Sequence, residues 1–287
     1  MRLVVLGCGY AGTAFAEHMR GRVAETVATA RSHEKVARLV AEGLVGRIFP
    51  DPDGEGALER DIREASALLV SIPPGEGGDP VLARFSDGVA AARNLGWIGY
   101  LSTVGVYGDH GGAEVDERTP PHPVSARSRQ RLAAERAWLD LGERSRKPVH
   151  LFRLAGIYGP GRSPLQKVLD GTAKRIVKPG QVFNRIHVED IAAVLDASLD
   201  RPRAGAIYNV SDDEPAPPQD IVAYAAALAG LPPPPEVPFD EADLTPMARS
   251  FYGENKRVVS RLVREELGVS LRYPTYREGL AALAGTA

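Results

Sequence analysis

A glycine-rich turn placed directly after a short apolar run is the feature that most limits how this chain can fold. Residues 3–6 read LVVL, and the next six, Gly7 to Gly12, follow the pattern G-x-G-x-x-G. In such a turn the first glycine permits the reversal, the second lets a pyrophosphate approach the backbone, and the third lets helix and strand pack closely. The turn therefore predicts a strand–turn–helix unit that binds a dinucleotide, although a tight turn without a ligand has the same pattern.

The first half of the chain alternates between short apolar runs and longer amphipathic segments. Runs rich in Val, Ile and Leu, separated by helices, indicate a parallel sheet covered on both faces. We therefore predict an α/β fold with a Rossmann-type doubly wound parallel sheet. Strands are expected at 3–7, Val23–Ala30, Val45–Phe49, Ala67–Ile72, Trp97–Thr103 and Val149–Ala155, and helices at Gly12–Met19, 32–43, Pro80–Asn94 and Val124–Leu141, with Ser32 as an N-cap.

The pattern changes after residue 155, where turn-rich stretches and short segments replace the regular alternation. We predict that 1–155 forms the dinucleotide-binding domain, with 189–211 returning to it. Residues 156–287 would then form a smaller, interleaved substrate lobe.

Composition excludes several classes of function. The 287 residues contain 35 basic and 37 acidic side chains, a formal net charge of -2, so we expect neither a nucleic-acid nor a membrane partner. The single cysteine, Cys8, rules out an internal disulfide and is typical of a reducing compartment, which favours a cytoplasmic protein. Ligand spacing for a metal ion is absent from the sequence.

The end of the second predicted strand indicates which dinucleotide the turn would hold. NAD-binding proteins usually carry Asp or Glu about 20 residues after the turn, where the acid holds the ribose 2′-hydroxyl. Here 29–33 reads TARSH, without an acid, and a guanidinium at Arg31 can bind a 2′-phosphate through two donors. NADP(H) is therefore the favoured cofactor and NAD(H) is the alternative. If no ligand binds here, Arg31 is simply a solvated surface charge. The predicted cofactor contacts here are Gly7, Gly9, Tyr10, Ala11, Gly12, Arg31 and Ser32.

Several motifs occur together in one order along the chain. They are LSTVGVYG from Leu101, RLAGIYGPGR from Arg153, FNRIHVEDIA from Phe183 and YNVSDDEP from Tyr208. In this order they resemble the extended short-chain dehydrogenase/reductase family, which includes sugar-nucleotide epimerases, dehydratases and reductases. The resemblance covers nearly the whole chain and implies a nicotinamide cofactor and a small-molecule substrate, but it does not select one reaction.

The resemblance also identifies a departure at the catalytic position. Members typically read P-x-S-x-Y-x-x-S-K-x-A-A-E, where the tyrosine exchanges a proton with the substrate and the lysine holds the nicotinamide ribose. Laid without gaps on 123–135, the tyrosine falls on Arg127 and the lysine on Arg131. Arginine stays protonated below a pH of about 12, so it cannot donate the proton, although Arg127 can stabilise an oxyanion and Arg131 can hold the ribose. The resemblance places the oxygen-polarising Ser/Thr on Thr103, with Ser102 beside it.

Two further groups of contacts rest on the resemblance alone. The small-residue run after the fourth strand would place Ser71, Ile72 and Pro73 near the cofactor, and substrate contacts would come from Arg185, Tyr107 and Tyr158. For the two tyrosines, packing inside the fold is the alternative role.

For three charged or polar residues of the same motifs we expect structural roles. We expect Arg153 to pair with a carboxylate in the fold, His187 to be a partly buried histidine with its bonds satisfied, and Asp190 to cap a nearby helix.

Three functions remain open at this stage. The first is an NADP(H)-dependent oxidoreductase or epimerase with an altered acid/base system, the second is a non-catalytic NADP(H) sensor, and the third is a coenzyme-free interaction scaffold. By resemblance, the helix at Val124–Leu141 would also be the element through which a homodimer forms.

Overall fold

The computed structural model describes residues 1–285, and its strands carry most of the architecture. The strands are β1 (Arg2–Leu6), β2 (Glu25–Ala30), β3 (Val45–Ile48), β4 (Ala67–Val70), β5 (Trp97–Thr103), β6 (Glu114–Val115), β7 (Val149–Leu154), β8 (Gly156–Tyr158), β9 (Arg175–Val177), β10 (Arg185–His187), β11 (Ala206–Val210), β12 (Glu236–Pro238) and β13 (Arg257–Val258).

Seven of these strands form one sheet in the order β11-β7-β5-β4-β1-β2-β3. The β1–β2, β2–β3, β1–β4 and β4–β5 pairs are parallel, so the carboxyl ends of these five strands lie along one edge. Strand order reverses between β1 and β4, which is the switch point where doubly wound sheets bind ligands. The predicted Rossmann-type α/β fold is confirmed.

The helices connect these strands. They are α1 (Tyr10–His18), α2 (His33–Ala41), α3 (Gly56–Arg63), α4 (Pro80–Ala91), α5 (Ala126–Ser145), α6 (Pro164–Leu169), α7 (Val188–Leu199), α8 (Pro218–Leu228), α9 (Pro246–Phe251), α10 (Leu262–Glu265) and α11 (Tyr276–Gly285). Most predicted elements are present with ends shifted by a few residues, and β5 has the predicted bounds. Helix α3 was not predicted.

The chain divides into two compact units, each built from three segments. Unit 1 contains residues 1–103, 126–153 and 191–208. Its core lies on the sheet: the side chains of β1, β4 and β5 are almost all buried, and Phe85, Trp138 and Ile62 pack on them from the helices. Burial of both sheet faces explains why these strands are continuous apolar runs.

Unit 2 contains residues 104–125, 154–190 and 209–287. Helices α6, α8 and α11 share one apolar core that includes Leu165, Ile221, Tyr276 and Leu280. A second, smaller core holds Ile176, Tyr252 and neighbours on β9 and β12. The division into a domain over 1–155 and a lobe over 156–287 stays a prediction.

No helix within residues 1–285 combines the length and the apolar character that a membrane crossing requires.

Candidate cofactor-binding site

The three glycines of the first turn have three different surroundings. Gly7 has a φ of +88°, and a Cβ added there would lie 2.7 Å from the Ile72 side chain. A Cβ on Gly12 would lie 3.1 Å from the Gly7 carbonyl oxygen and from the Val5 side chain. A Cβ on Gly9, in contrast, would have no atom within 4 Å. The turn and the packing therefore require the first and third glycines, whereas the second faces open space.

Helix α1 starts at this turn with Gly9 as its N-cap residue. Glycine has no side chain to accept bonds from the first-turn amides, unlike Ser32 and Asp79, which cap α2 and α4 through their oxygens. The first turn of α1 also contains no acidic residue. Backbone donors and the positive end of the helix dipole therefore favour an anion at this helix start.

Strand β2 is fastened to the turn by two hydrogen bonds. The Gly7 N–H donates to Thr29 Oγ1 at 2.7 Å, and the Cys8 N–H donates to the Thr29 carbonyl at 2.8 Å. These bonds fix the end of β2, and so the residue after it, relative to the turn.

Arg31 is the first residue after β2, and its side chain is exposed. Within residues 1–285 it forms neither an ion pair nor a hydrogen bond through its side chain. Ser32 Oγ accepts a hydrogen bond from the Lys35 N–H at 3.3 Å, which confirms its predicted role as an N-cap and leaves its own proton to donate. A guanidinium and a hydroxyl thus stand together at the end of β2.

Cys8 lies inside the turn and is 4% exposed. Its Sγ is 3.6 Å from Thr13 Oγ1, and burial raises the pKa of the thiol. Since the thiolate is the reactive form, this cysteine serves packing rather than chemistry.

The loop after β4 forms another wall of the same edge. The Ser71 N–H donates to the Leu6 carbonyl at 2.8 Å, which continues the β1–β4 pairing by one residue. Ile72 then packs against Gly7, while Pro73 is exposed. Ser71 and Ile72 are half-buried, and both have atoms close to Gly7, so these two predicted contacts lie beside the glycine turn.

A buried polar network lies at the carboxyl end of β5. Glu135 of α5 accepts two bonds from the Arg153 guanidinium, at 3.1 and 2.8 Å, and one from the Ser102 hydroxyl at 2.5 Å. All three side chains are buried. The expected carboxylate partner of Arg153 is therefore Glu135, and the proton of Ser102 is engaged within the protein. Thr103, the last residue of β5, is half-buried.

Arg127 and Arg131 lie one turn apart on α5. Arg131 Nη1 donates to the Leu101 carbonyl at 2.8 Å and to the Tyr100 hydroxyl at 3.1 Å, and the guanidinium lies over the Tyr100 ring. Arg127 is exposed. Tyr100 is fully buried, and burial raises its pKa well above the usual range, so this phenol does not act as an acid or base near neutral pH.

The two tyrosines expected at the substrate both belong to unit 2 and are both buried. The Tyr107 hydroxyl donates to Asn209 Oδ1 at 2.7 Å, and the Tyr158 hydroxyl donates to the Thr275 carbonyl at 3.4 Å. Their hydroxyl groups are thus engaged in packing interactions, which is the alternative role the sequence left open.

His187 packs edge-on against the Tyr158 ring, with ring centroids 5.2 Å apart. Its Nδ1 accepts a bond from the Glu189 N–H at 3.3 Å, while its buried Nε2 has no partner among residues 1–285. Burial lowers the pKa of His187 to about 4, so it is neutral at pH 7. The expectation that its bonds are satisfied is wrong for Nε2.

Asp190 does not act as the predicted helix cap. It lies within the first turn of α7, and its carboxylate accepts bonds from the Arg272 N–H at 2.7 Å and the Tyr273 N–H at 3.1 Å. These bonds fasten the 272–273 backbone within unit 2.

Arg185 and Asp212 are neighbours in unit 2, where the Asp212 N–H donates to the Arg185 carbonyl at 2.7 Å. Arg185 Nη1 donates to the Phe183 carbonyl at 3.0 Å, and burial lowers the pKa of this guanidinium to about 10. Asp212 is 1% exposed, and neither of its oxygens makes a well-formed hydrogen bond with any residue of 1–285. Burial raises the pKa of Asp212 to about 8, against the opposing effect of Arg185. Asp212 was not singled out from the sequence, because an acid in a DDEP turn reads as solvated.

A depression that the sequence did not indicate lies in unit 1 at the segment after β3. Its volume is about 440 Å³. It is lined by Pro50, Asp51, Pro52, Gly54, Glu55 and Arg84. Strand β3 is the parallel neighbour of β2 in the sheet. The depression therefore lies beyond the carboxyl end of the strand next to the one that Arg31 follows.

Comparison with known proteins agrees with this geometry. The family model described as the NAD dependent epimerase/dehydratase family matches residues 89–211. Protein YeeZ of Escherichia coli strain K12 is 29% identical over 290 residues, covering 95% of this chain and 96% of that protein.

Solved structures extend the likeness over the whole chain. A conserved protein from Silicibacter pomeroyi DSS, described as functionally unknown, is 50% identical with a TM-score of 0.89 and covers 99% of this chain and 98% of that one. The dTDP-glucose 4,6-dehydratase of Bacillus anthracis strain Ames, solved in complex with NAD, shares the fold at 18% identity and a TM-score of 0.75, with 99% and 96% coverage. Residues 89–211 match the family model and the whole chain shares the fold of the dehydratase: the chain is similar to the NAD dependent epimerase/dehydratase family.

Proposed function

We propose that this protein is an NADP(H)-binding oxidoreductase or epimerase that acts on a carbonyl or nucleotide-sugar substrate without the usual tyrosine–lysine pair. One observation carries the cofactor preference: Arg31, exposed and without an ion-pair partner among residues 1–285, directly follows the strand that is fastened to the glycine turn. An acid at this place would repel a 2′-phosphate, whereas a guanidinium binds it.

The residues of the turn fit a dinucleotide. Open space at Gly9 and the uncapped start of α1 suit a pyrophosphate against the backbone. Arg31 and Ser32 would bind the 2′-phosphate, and Ser71, Ile72 and Pro73 would line the cofactor by shape and through the Ser71 hydroxyl. NAD(H) remains the alternative cofactor.

Bound nicotinamide would supply hydride transfer, and the chain would supply orientation and charge. In this proposal Thr103 polarises the substrate oxygen, since Ser102 is engaged by Glu135. Arg131 is anchored to the Leu101 carbonyl and orients a ribose or the substrate through its remaining donors. A proton would come from bound water, because an arginine side chain is not a proton donor in acid/base catalysis at neutral pH.

Paired calorimetric titrations with NADP⁺ and NAD⁺ test the cofactor preference. We expect tighter binding of NADP⁺ by the wild-type protein. Replacing Arg31 with Gln should weaken NADP⁺ binding ~10- to 150-fold, because it removes a charge-assisted interaction of ~1.5–3 kcal/mol, and should leave NAD⁺ binding nearly unchanged.

Arg38→Gln is the matched control, since Arg38 is exposed on α2 and pairs with Glu34. It should change neither affinity by more than about twofold. Equal affinities for the two coenzymes in wild-type protein, or an equal loss for both in Arg31→Gln, would contradict the proposed preference.

One observation favours a second function, a non-catalytic NADP(H) sensor. Of the four predicted catalytic residues, Ser102 donates its hydroxyl proton to Glu135, and two are arginines, a residue type that does not serve as a proton donor at neutral pH. An NADPH oxidation assay with a panel of carbonyl compounds and nucleotide sugars separates the two functions. Turnover that is lost in Thr103→Ala supports the enzyme, and coenzyme binding without any turnover supports the sensor.

A further inference from the structure

The start of α5 carries positive charge that the described residues do not neutralise. Arg127 lies in the first turn, which contains no acidic residue, and Arg131 follows one turn later on the same face. Cations at a helix start oppose the helix dipole, so this arrangement is unfavourable unless an anion lies nearby.

Eight arginines of unit 1 pair with carboxylates, and Arg127 and Arg131 are not among them. Arginines paired in this way are Arg2, Arg22, Arg38, Arg47, Arg63, Arg84, Arg144 and Arg153. Glu135 stands four residues after Arg131, the usual spacing for an ion pair, but it is turned inward to Arg153 and Ser102. Within residues 1–285, neither Arg127 nor Arg131 has a carboxylate within ion-pair distance.

Arg131 is also held in place. Its Nη1 bonds to the Leu101 carbonyl and the Tyr100 hydroxyl fix the guanidinium at the carboxyl end of β5. Strand β5 is two strands from β1 in the sheet, so this guanidinium lies on the same sheet edge as the glycine turn. Ligands of doubly wound sheets bind along this edge.

We infer that Arg127 and Arg131 form a seat for an oxyanion, and that the substrate of the proposed enzyme carries a carboxylate or phosphate group beside its reacting carbon. This inference rests on the proposed function for the identity of the ligand as substrate, but the seat itself is a property of α5. Two guanidiniums one turn apart offer forked donors that match the oxygens of either group.

Calorimetric titration with oxalate and, separately, with inorganic phosphate tests the seat. The protein is first saturated with NADP⁺, so that the glycine turn does not compete for the probe. We expect saturable binding of at least one probe, weakened tenfold or more in Arg127→Gln and severalfold in Arg131→Lys, which keeps a charge and a donor at the anchored position. The probe that binds more tightly indicates which of the two groups the substrate carries.

Arg136→Gln is the control. Arg136 is an exposed arginine of α5, nine residues after Arg127 and therefore on the opposite side of the helix. It should bind the probes as the wild type does. Absence of saturable binding by the wild type, or equal affinities in wild type, Arg127→Gln and Arg136→Gln, would overturn the inference.

The NADP⁺ titration of each protein separates this failure from a failure of the proposed function. If the protein binds NADP⁺ but Arg127→Gln does not weaken probe binding, only the inference of an oxyanion seat is wrong. If Arg127→Gln weakens probe binding in a protein that does not bind NADP⁺, the proposed cofactor is wrong and the seat is retained.

Discussion

Replacing Gly9 with alanine should separate folding from coenzyme binding. Gly9 has an extended backbone with a negative φ of −87°, and a Cβ there would have no atom within 4 Å. The folded protein therefore tolerates the methyl group, and the unfolded chain loses backbone freedom. We expect the free energy of unfolding to change by less than ~1 kcal/mol, because this gain is opposed by the preference of an N-cap position for glycine over alanine.

The same methyl group occupies the space that a pyrophosphate needs in order to reach the backbone donors of α1. Loss of one charge-assisted hydrogen bond to phosphate costs ~1.5–3 kcal/mol. NADP⁺ binding should therefore weaken ~10- to 150-fold, with little change in the free energy of unfolding.

Gly12→Ala, in the same turn, should instead lower the stability of the fold. Its Cβ would lie 3.1 Å from the Gly7 carbonyl and the Val5 side chain, so the strand and helix must move apart at a cost of ~1–3 kcal/mol. Gly56→Ala, whose nearest neighbour would be Arg60 at 3.9 Å, is the control for glycine replacement in unit 1. Urea unfolding gives the stabilities and calorimetry gives the affinities. Unchanged NADP⁺ affinity in Gly9→Ala, or a large loss of its stability, would refute this account of the turn.

Two further predictions concern buried charges. Glu135→Ala should lower the free energy of unfolding by ~3–5 kcal/mol, because it removes the carboxylate that pairs with the buried Arg153 guanidinium. The double variant Glu135→Leu/Arg153→Met should recover most of that loss in urea unfolding, and a double variant no more stable than Glu135→Ala would contradict this. Asp212 has a pKa of about 8 in the folded protein against about 3.9 in an unfolded chain. Between these pH values the unfolded state has released a proton that the folded state keeps. The free energy of unfolding of the wild type therefore falls as the pH rises from 4 to 8. Relative to wild type, Asp212→Asn should therefore gain at least ~1 kcal/mol between pH 4 and pH 8, and a difference that does not change with pH would show that Asp212 is ionised in the fold.

Local patterns in the sequence predicted the parts of the fold that local rules determine. Strand β5, the strand–turn–helix unit at the N-terminus and the Ser32 cap depend on apolar runs, glycine spacing and the residue before a helix. Helix α3 was missed because it is short and follows a DPDGEG stretch that reads as a loop.

Pairings between distant residues were only partly predictable. The need for a carboxylate partner at Arg153 follows from burying a charge, but nothing in the sequence selects Glu135, 18 residues away on another element. That choice also engages Ser102, which the family resemblance had offered as a catalytic group. Asp190 was misread because its partners, the amides of 272 and 273, lie more than 80 residues further along the chain.

Hydrogen–deuterium exchange of the wild-type protein with and without NADPH tests the central claim most directly. If the coenzyme binds across the first turn and the end of β2, amides in residues 8–13 and in the segment around Arg31 should exchange more slowly when NADPH is added. Unchanged exchange in both segments at saturating NADPH, or protection confined to unit 2, would contradict the account.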